Sequence, residues 1–260
     1  HLGLLGFWGE WHTFPQNFVP EHAKHSVTQW YTESFSKTQL QARYPFDPTY
    51  KAGMGLYDGS FAFHTLDGDA NGGFYHPEWY FWPLVQAAGQ SDIWKKAAIG
   101  GETRPELQKE IFTSSYQKGT YEKQDFVRCI YTTHATYIFH QDAFILGGYT
   151  GEQLAAAAHS HTRMGYSFIV SRVSVAESSV KGEIDIDVSV RQIGVAPFYY
   201  PLSILLDCGG LPSPKELEGV ETIIDDQETK TFQFTGIPAT VHCLNEVSFY
   251  LKSPYSLEGR

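Results

Sequence analysis

The chain has 260 residues, enough for one large domain or two ordinary ones, and 42% of them are hydrophobic, so it can bury a core. Its formal net charge is −10 and no basic run exceeds Lys95-Lys96, which excludes a nucleic-acid partner held through clustered phosphate contacts. No apolar stretch is long enough to cross a bilayer, which excludes a membrane span by an apolar helix.

In chain order, the first two-thirds alternate short apolar runs with longer amphipathic ones. Strands are expected at Leu2 to Trp8, Gln39 to Tyr44, Ala52 to Tyr57, Lys96 to Ile99 and Ala135 to His140. Helical stretches are expected at His22 to Phe35, Pro77 to Ala88, Pro105 to Lys118, Lys123 to Thr132 and Glu152 to Thr162. Pro105 suits a first helical turn, where its missing N–H costs nothing. Strands that alternate with helices imply βαβ units and a parallel sheet, hence an α/β class for residues 1–163.

After Met164 the period changes to two. Glu183-Ile184-Asp185-Ile186-Asp187-Val188-Ser189-Val190 alternates strictly, and further strands are expected at Pro201 to Leu206, Thr229 to Phe234 and Val247 to Leu251. Turn signals separate them, so residues 164–260 are expected to form an antiparallel β-sandwich. Cys208 and Cys243 both fall in this β-rich region and can pair there. Cys129 is then left single, as a buried free thiol or as the partner of a residue outside the chain.

Two runs carry chemistry. Leu4-Leu5-Gly6-Phe7-Trp8-Gly9-Glu10-Trp11-His12 ends an apolar stretch in a carboxylate between two tryptophans, and Ala97-Ala98-Ile99-Gly100-Gly101-Glu102 ends in a second carboxylate. Two carboxylates at the ends of separate strands are the minimum equipment for glycoside hydrolysis. Aromatics make up 15% of the chain, and the dense run Phe74-Tyr75-His76-Pro77-Glu78-Trp79-Tyr80-Phe81-Trp82 suits sugar stacking as well as core packing. No G-x-G-x-x-G, Walker loop or G-x-S-x-G is present, which argues against a nucleotide enzyme or a serine hydrolase.

Trp8-Gly9-Glu10-Trp11-His12, Ala42-Arg43-Tyr44-Pro45, Gly55-Leu56-Tyr57-Asp58-Gly59-Ser60-Phe61 and Gly100-Gly101-Glu102 resemble successive strand ends of a glycoside-hydrolase-like barrel. Arg163-Met164-Gly165-Tyr166 and Val190-Arg191-Gln192-Ile193-Gly194-Val195-Ala196-Pro197 resemble the immunoglobulin-like sandwich that follows it. In this order they resemble an uncharacterised family, a domain of unknown function, across nearly the whole chain. The resemblance implies the C-terminal part of a (β/α)8 TIM-like barrel, strands four to eight, followed by the sandwich. By similarity to the large retaining glycosidase clan, Glu10 would act as general acid/base and Glu102 as nucleophile, with Trp8 and Trp11 raising the acid's pKa by desolvation. Trp8, Trp11, His12, Arg43, Tyr44, Asp58 and Arg104 would line the cleft, and carbohydrate would be the partner. Gly9 stands where the clan often has Asn, which leaves a non-catalytic carbohydrate-binding or structural glycoprotein, or a filament or matrix subunit, as the alternative.

Under this alignment the first three barrel strands are missing from the chain, so an N-terminal barrel segment or neighbouring chains are expected to cover the open edge. A secreted or extracellular location is expected from the whole pattern. Asp67-Gly68-Asp69-Ala70-Asn71-Gly72, with Glu78 six residues on, also matches a Ca2+-loop pattern in full. Its expected ligands are Asp67, Asp69, Asn71 and Glu78. The alternative is a Gly-rich substrate loop that needs no cofactor.

Overall fold

The computed structural model describes residues 2–11, 19–67, 80–120, 122–209, 211, 213–223, 228–240, 243 and 246–255. The chain is mixed α/β and divides into two compact units, His1–Gly165 and Tyr166–Arg260. No described helix is long and apolar enough to cross a membrane.

The first unit runs α1 (Glu21–Ser34), β1 (Gln41–Ala42), α2 (Asp47–Lys51), β2 (Gly55–Phe61), α3 (Phe81–Ala87), β3 (Ile99–Thr103), α4 (Phe126–Thr133), β4 (Tyr137–Phe139) and α5 (Gly151–His161). Its four strands form one sheet in the order β1-β2-β3-β4, every pair parallel. Helix ends follow local chemistry. The Asp125 carboxylate caps α4 by accepting from the Val127 and Arg128 N–H groups at 3.0 and 3.2 Å.

Alternation along the strands divides the sheet into two unlike faces. The register pairs Leu56 with Ile99 and Asp58 with Gly101, so Ala42, Leu56, Ile99 and Ile138 share one face, and all four are buried. A register shift between Asp58 and Phe61 sets Phe61 opposite Thr103, and its ring meets Phe126 of α4 at 5.2 Å. The other face carries Gln41, Tyr57, Gly59, Gly100, Glu102, Tyr137 and Phe139, and it is polar, aromatic and partly open.

Three expected elements differ. Leu2 N–H bonds Gln41 O at 2.7 Å beside β1, and the stretch to Trp8 then turns. Leu4, Gly6, Trp8 and Gly9 take φ of 73, 78, 58 and 70°, which ends any extended run. Pro105 to Lys118 forms only one 3-10 turn, Pro105–Leu107. The Gln108 carbonyl, which a helix would need for the N–H four residues on, is taken instead by His140 Nε2 at 2.8 Å and by the Tyr149 hydroxyl. Finally, the strand expected at Lys96 to Ile99 runs instead from Ile99 to Thr103, so Glu102 lies within it.

The second unit holds β5 (Phe168–Glu177), β6 (Glu183–Gln192), β7 (Ser203–Asp207), β8 (Lys215–Glu218), β9 (Thr229–Pro238) and β10 (Ser248–Lys252). They form two three-stranded antiparallel sheets, β5-β6-β9 and β10-β7-β8. Ile184, Ile186, Val188 and Val190 of β6, Phe232 and Phe234 of β9, and Ile204 and Leu206 of β7 meet in one apolar core. The period-two pattern read from the sequence is thus a burial pattern, apolar inward and charged outward. Cys208 and Cys243 are joined by a disulfide beside this core, and Cys129 is a buried free thiol in the first unit. Lys215-Glu216-Leu217-Glu218 reads too charged for a strand, yet it pairs with β7 as a sheet edge, where charge guards against further pairing.

Candidate functional site

The open face of the parallel sheet gathers the titratable groups. Gly59 of β2 lies beneath the Glu10 carboxyl: a Cβ added there would collide with Oε1 and stand 3.0 Å from Cδ. The glycine is therefore the feature that lets the carboxylate settle onto the strand. Glu102 sits on the neighbouring strand, one residue past Gly101, which pairs with Asp58. Glu102 is near enough to Glu10 to feel its charge. Burial first, and then the Glu10 charge, raise the Glu102 carboxyl above its ordinary value. A hydrogen bond with the Tyr57 side chain and the charges of Arg43 and Arg104 pull it back.

Tyr57 is one residue before Asp58 and so shares the face with Gly59 and Glu102. Its phenol is pushed up by burial and by the Glu102 and Glu10 charges, so it stays protonated and donates to Glu102. Tyr137 of β4 lays its ring across Gly100, where a side chain would collide with it, and its hydroxyl donates to Gln41 Oε1. Gln41 in turn donates to the Leu56 and Ala98 carbonyls, both at 3.0 Å, and ties β1 to its neighbours. Phe139 pairs in register with Glu102 and is 55% exposed, so an aromatic surface stands directly beside the carboxylate.

The remaining expected site residues divide by position. Trp8 is 75% exposed with a left-handed backbone. Trp11 is buried: it packs with Leu2, Val27, Ala42 and Met54, meets Phe46 at 5.3 Å and donates its indole N–H to Gly3 O at 2.8 Å. It belongs to the support of the Glu10 segment. Asp58 is fully buried and points to the apolar side of the sheet, where Oδ1 accepts from Ser60 N–H at 3.0 Å and Oδ2 from the Thr65 hydroxyl at 2.7 Å. That makes it the brace of the turn after β2. Tyr44 is half-buried, with the Arg43 guanidinium 4.9 Å from its ring centroid. Burial raises its phenol first, Arg43 lowers it, and Glu10 and Asp58 raise it again.

Arg104 is partly exposed, pairs with Glu106 at 2.6 Å and lies over the Phe63 ring at 4.8 Å. Arg43 is buried at 5% exposure. Its Nη2 stands 3.8 Å from Asp58 Oδ1, and its Nε and Nη1 have no hydrogen-bond partner among the described residues. His12 lies outside the described residues, as do Asp69, Asn71 and Glu78 of the expected Ca2+ loop. Asp67 is described and exposed, and among the described residues no group of three or more His, Cys, Asp or Glu side chains could hold a metal.

Sequence reasoning passed over Tyr57, Gly59, Tyr137 and Phe139. The signal was the period of two: it puts Tyr57 and Gly59 on the face opposite Asp58, and Tyr137 and Phe139 on one face of β4. No family model, no curated protein and no solved structure matches the chain.

Proposed function

We propose that the first unit is part of a TIM-like barrel, that the second is an immunoglobulin-like β-sandwich, and that the chain is a secreted carbohydrate-active protein acting as a retaining glycoside hydrolase, with Glu10 as general acid/base and Glu102 as nucleophile. The single observation that carries this reading is the carboxylate pair: Glu10 seated on Gly59 of β2, and Glu102 on adjacent β3 with its carboxyl raised by burial and by Glu10. A retaining enzyme needs two carboxyls about 5–5.5 Å apart, one to exchange the proton and one to attack the anomeric carbon. The net shift of Glu102 is upward; the Tyr57 hydrogen bond and the charges of Arg43 and Arg104 offset part of it, toward the ionised form a nucleophile must have. Phe139 and Tyr137 offer aromatic surface beside it for the apolar side of a sugar ring.

The barrel reading rests on strand order. A doubly wound sheet reverses its order at a switch point, whereas β1-β2-β3-β4 proceeds in chain order. A parallel sheet normally has both faces covered, yet here one face is polar and partly open, as at the mouth of a barrel. In a closed barrel, further strands join the edges of β4 and β1, supplied by another segment of polypeptide or by neighbouring chains. The disulfide supports an oxidising, extracellular setting.

A second reading, a non-catalytic carbohydrate-binding or structural protein on the same folds, is favoured by the exposed Tyr137 and Phe139, which would hold a sugar without turnover. The deciding experiment is hydrolysis of a panel of nitrophenyl glycosides, with product anomers followed by NMR. Under the first reading one member is cleaved with retention, and Glu10→Gln and Glu102→Gln each reduce the rate about 10²–10⁴-fold. Turnover untouched by both substitutions would sink the mechanism, and sugar binding with no turnover would favour the second reading.

A further inference from the structure

Arg43 presents an imbalance that the carboxylate pair does not remove. A guanidinium buried at 5% exposure carries a full charge out of water, and such a charge is costly unless it is paired and hydrogen-bonded. Its ion contact among the described residues is Asp58 Oδ1 at 3.8 Å, the outer limit of a useful pair. That carboxylate is already engaged by Ser60 N–H and the Thr65 hydroxyl in holding the turn after β2. Two guanidinium nitrogens, Nε and Nη1, are buried with no acceptor among the described residues. Unpartnered buried donors are rare in folded proteins, because each forfeits its hydration without replacement. Glu102 and Tyr44 both feel the Arg43 charge, so the guanidinium stands within the electrostatic reach of the site rather than in a remote part of the core.

We propose that Arg43 is a specificity residue and that its two orphan donors receive the carboxylate of an acidic sugar, a uronic acid unit, bound at the cleft of Glu10 and Glu102. A neutral sugar hydroxyl would satisfy one N–H but would leave the charge uncompensated, whereas a carboxylate supplies both acceptor oxygens and the opposite charge. The donors are covered, so the structure around them must shift as a ligand enters. The stretch from Leu2 to Trp11 packs against β1 through Leu2 and Trp11, and it holds Leu4, Trp8 and Trp11 at φ of 73, 58 and 64°. Left-handed backbone at residues bearing a Cβ is stored strain of the kind found in segments that rearrange.

The inference rests on the sugar cleft proposed above, and its test separates the two. The methyl glycosides of glucuronic, galacturonic and mannuronic acid are each titrated calorimetrically against the neutral methyl glycoside of the same configuration. The wild-type protein is expected to bind the acidic member of at least one pair about tenfold more tightly, the size of one hydrogen bond to a buried charged group. Arg43→Gln is expected to erase that preference while binding to the neutral member persists. Should Arg43→Gln fail to fold, Arg43→Lys keeps the charge, loses the planar donors and is expected to show a reduced preference. Equal or tighter binding of every neutral member by the wild type overturns the proposal, as does binding of none of the sugars or a preference unchanged in either folded variant. Uronide binding without turnover leaves this inference standing and removes the hydrolase. Cleavage of neutral glycosides with the acidic ones refused does the reverse.

Discussion

The two units solve the same problem, how to use a sheet with two faces, in opposite ways. In the second unit the alternation is explained by burial: the apolar residues of β6, β7 and β9 meet in one core, and the charged ones face water. In the first unit one face of the parallel sheet is equally apolar, but the other is lined by Gln41, Tyr57, Glu102, Tyr137 and Phe139. Polar and aromatic groups on a partly covered parallel sheet contribute little to stability, and paired carboxylates oppose it. A face built at that cost is where function is to be sought.

The comparison breaks first on large side chains. Phe234→Ala in the second unit is expected to cost about 3–5 kcal/mol, because it empties part of a close-packed core. Phe139→Ala on the open face is expected to fall within about 0.5 kcal/mol, as at exposed positions generally. Urea denaturation of the two variants checks both, and a large cost at Phe139 would mean that the open face is core after all.

Glycines sharpen it next. A methyl group at Gly101 meets the Asp58 carbonyl and backbone, so Gly101→Ala must spread β2 from β3 and is expected to cost about 1–3 kcal/mol of stability. The nearest atoms that a methyl group at Gly59 meets are those of the Glu10 carboxyl, the end of a side chain that can swing aside. Gly59→Ala is therefore expected to leave the melting temperature almost unchanged while lowering any glycosidase activity, and equal loss of both properties would show that Glu10 is structural.

The smallest effect is in pH. His140 and His161 are held neutral, their pKa values lowered by burial in a cluster with Phe112, Phe126 and Tyr149. A histidine whose folded pKa is depressed contributes stability that is complete above its unfolded value of about 6.5 and is lost as pH falls toward the folded value. Melting temperature is expected to decline below that pH. His161→Phe is expected to flatten the decline, since His161 Nε2 is buried without a partner among the described residues and would gain a proton with no acceptor for it there.

Much of this was legible in the residues. The change of period after Met164 marks the second unit, because strand alternation is a direct image of burial on two faces. The strand-and-helix alternation before it marks a parallel sheet, and the alanine run from Ala155 to Ala158 marks a helix, because propensity acts locally. The two carboxylates stood out by type and setting. What only the tertiary structure decided depends on partners distant in sequence. Trp11 is core rather than cleft wall because Phe46 and Val27 fold over it. Pro105 to Lys118 is turns rather than a helix because His140 and Tyr149 claim the Gln108 carbonyl. Glu10 settles onto β2 because Gly59 leaves room beneath it, and Arg43 keeps two donors unspent among the described residues because Asp58 is committed to Ser60 and Thr65. Local pattern sets which face a residue takes, and long-range contact sets what meets it there.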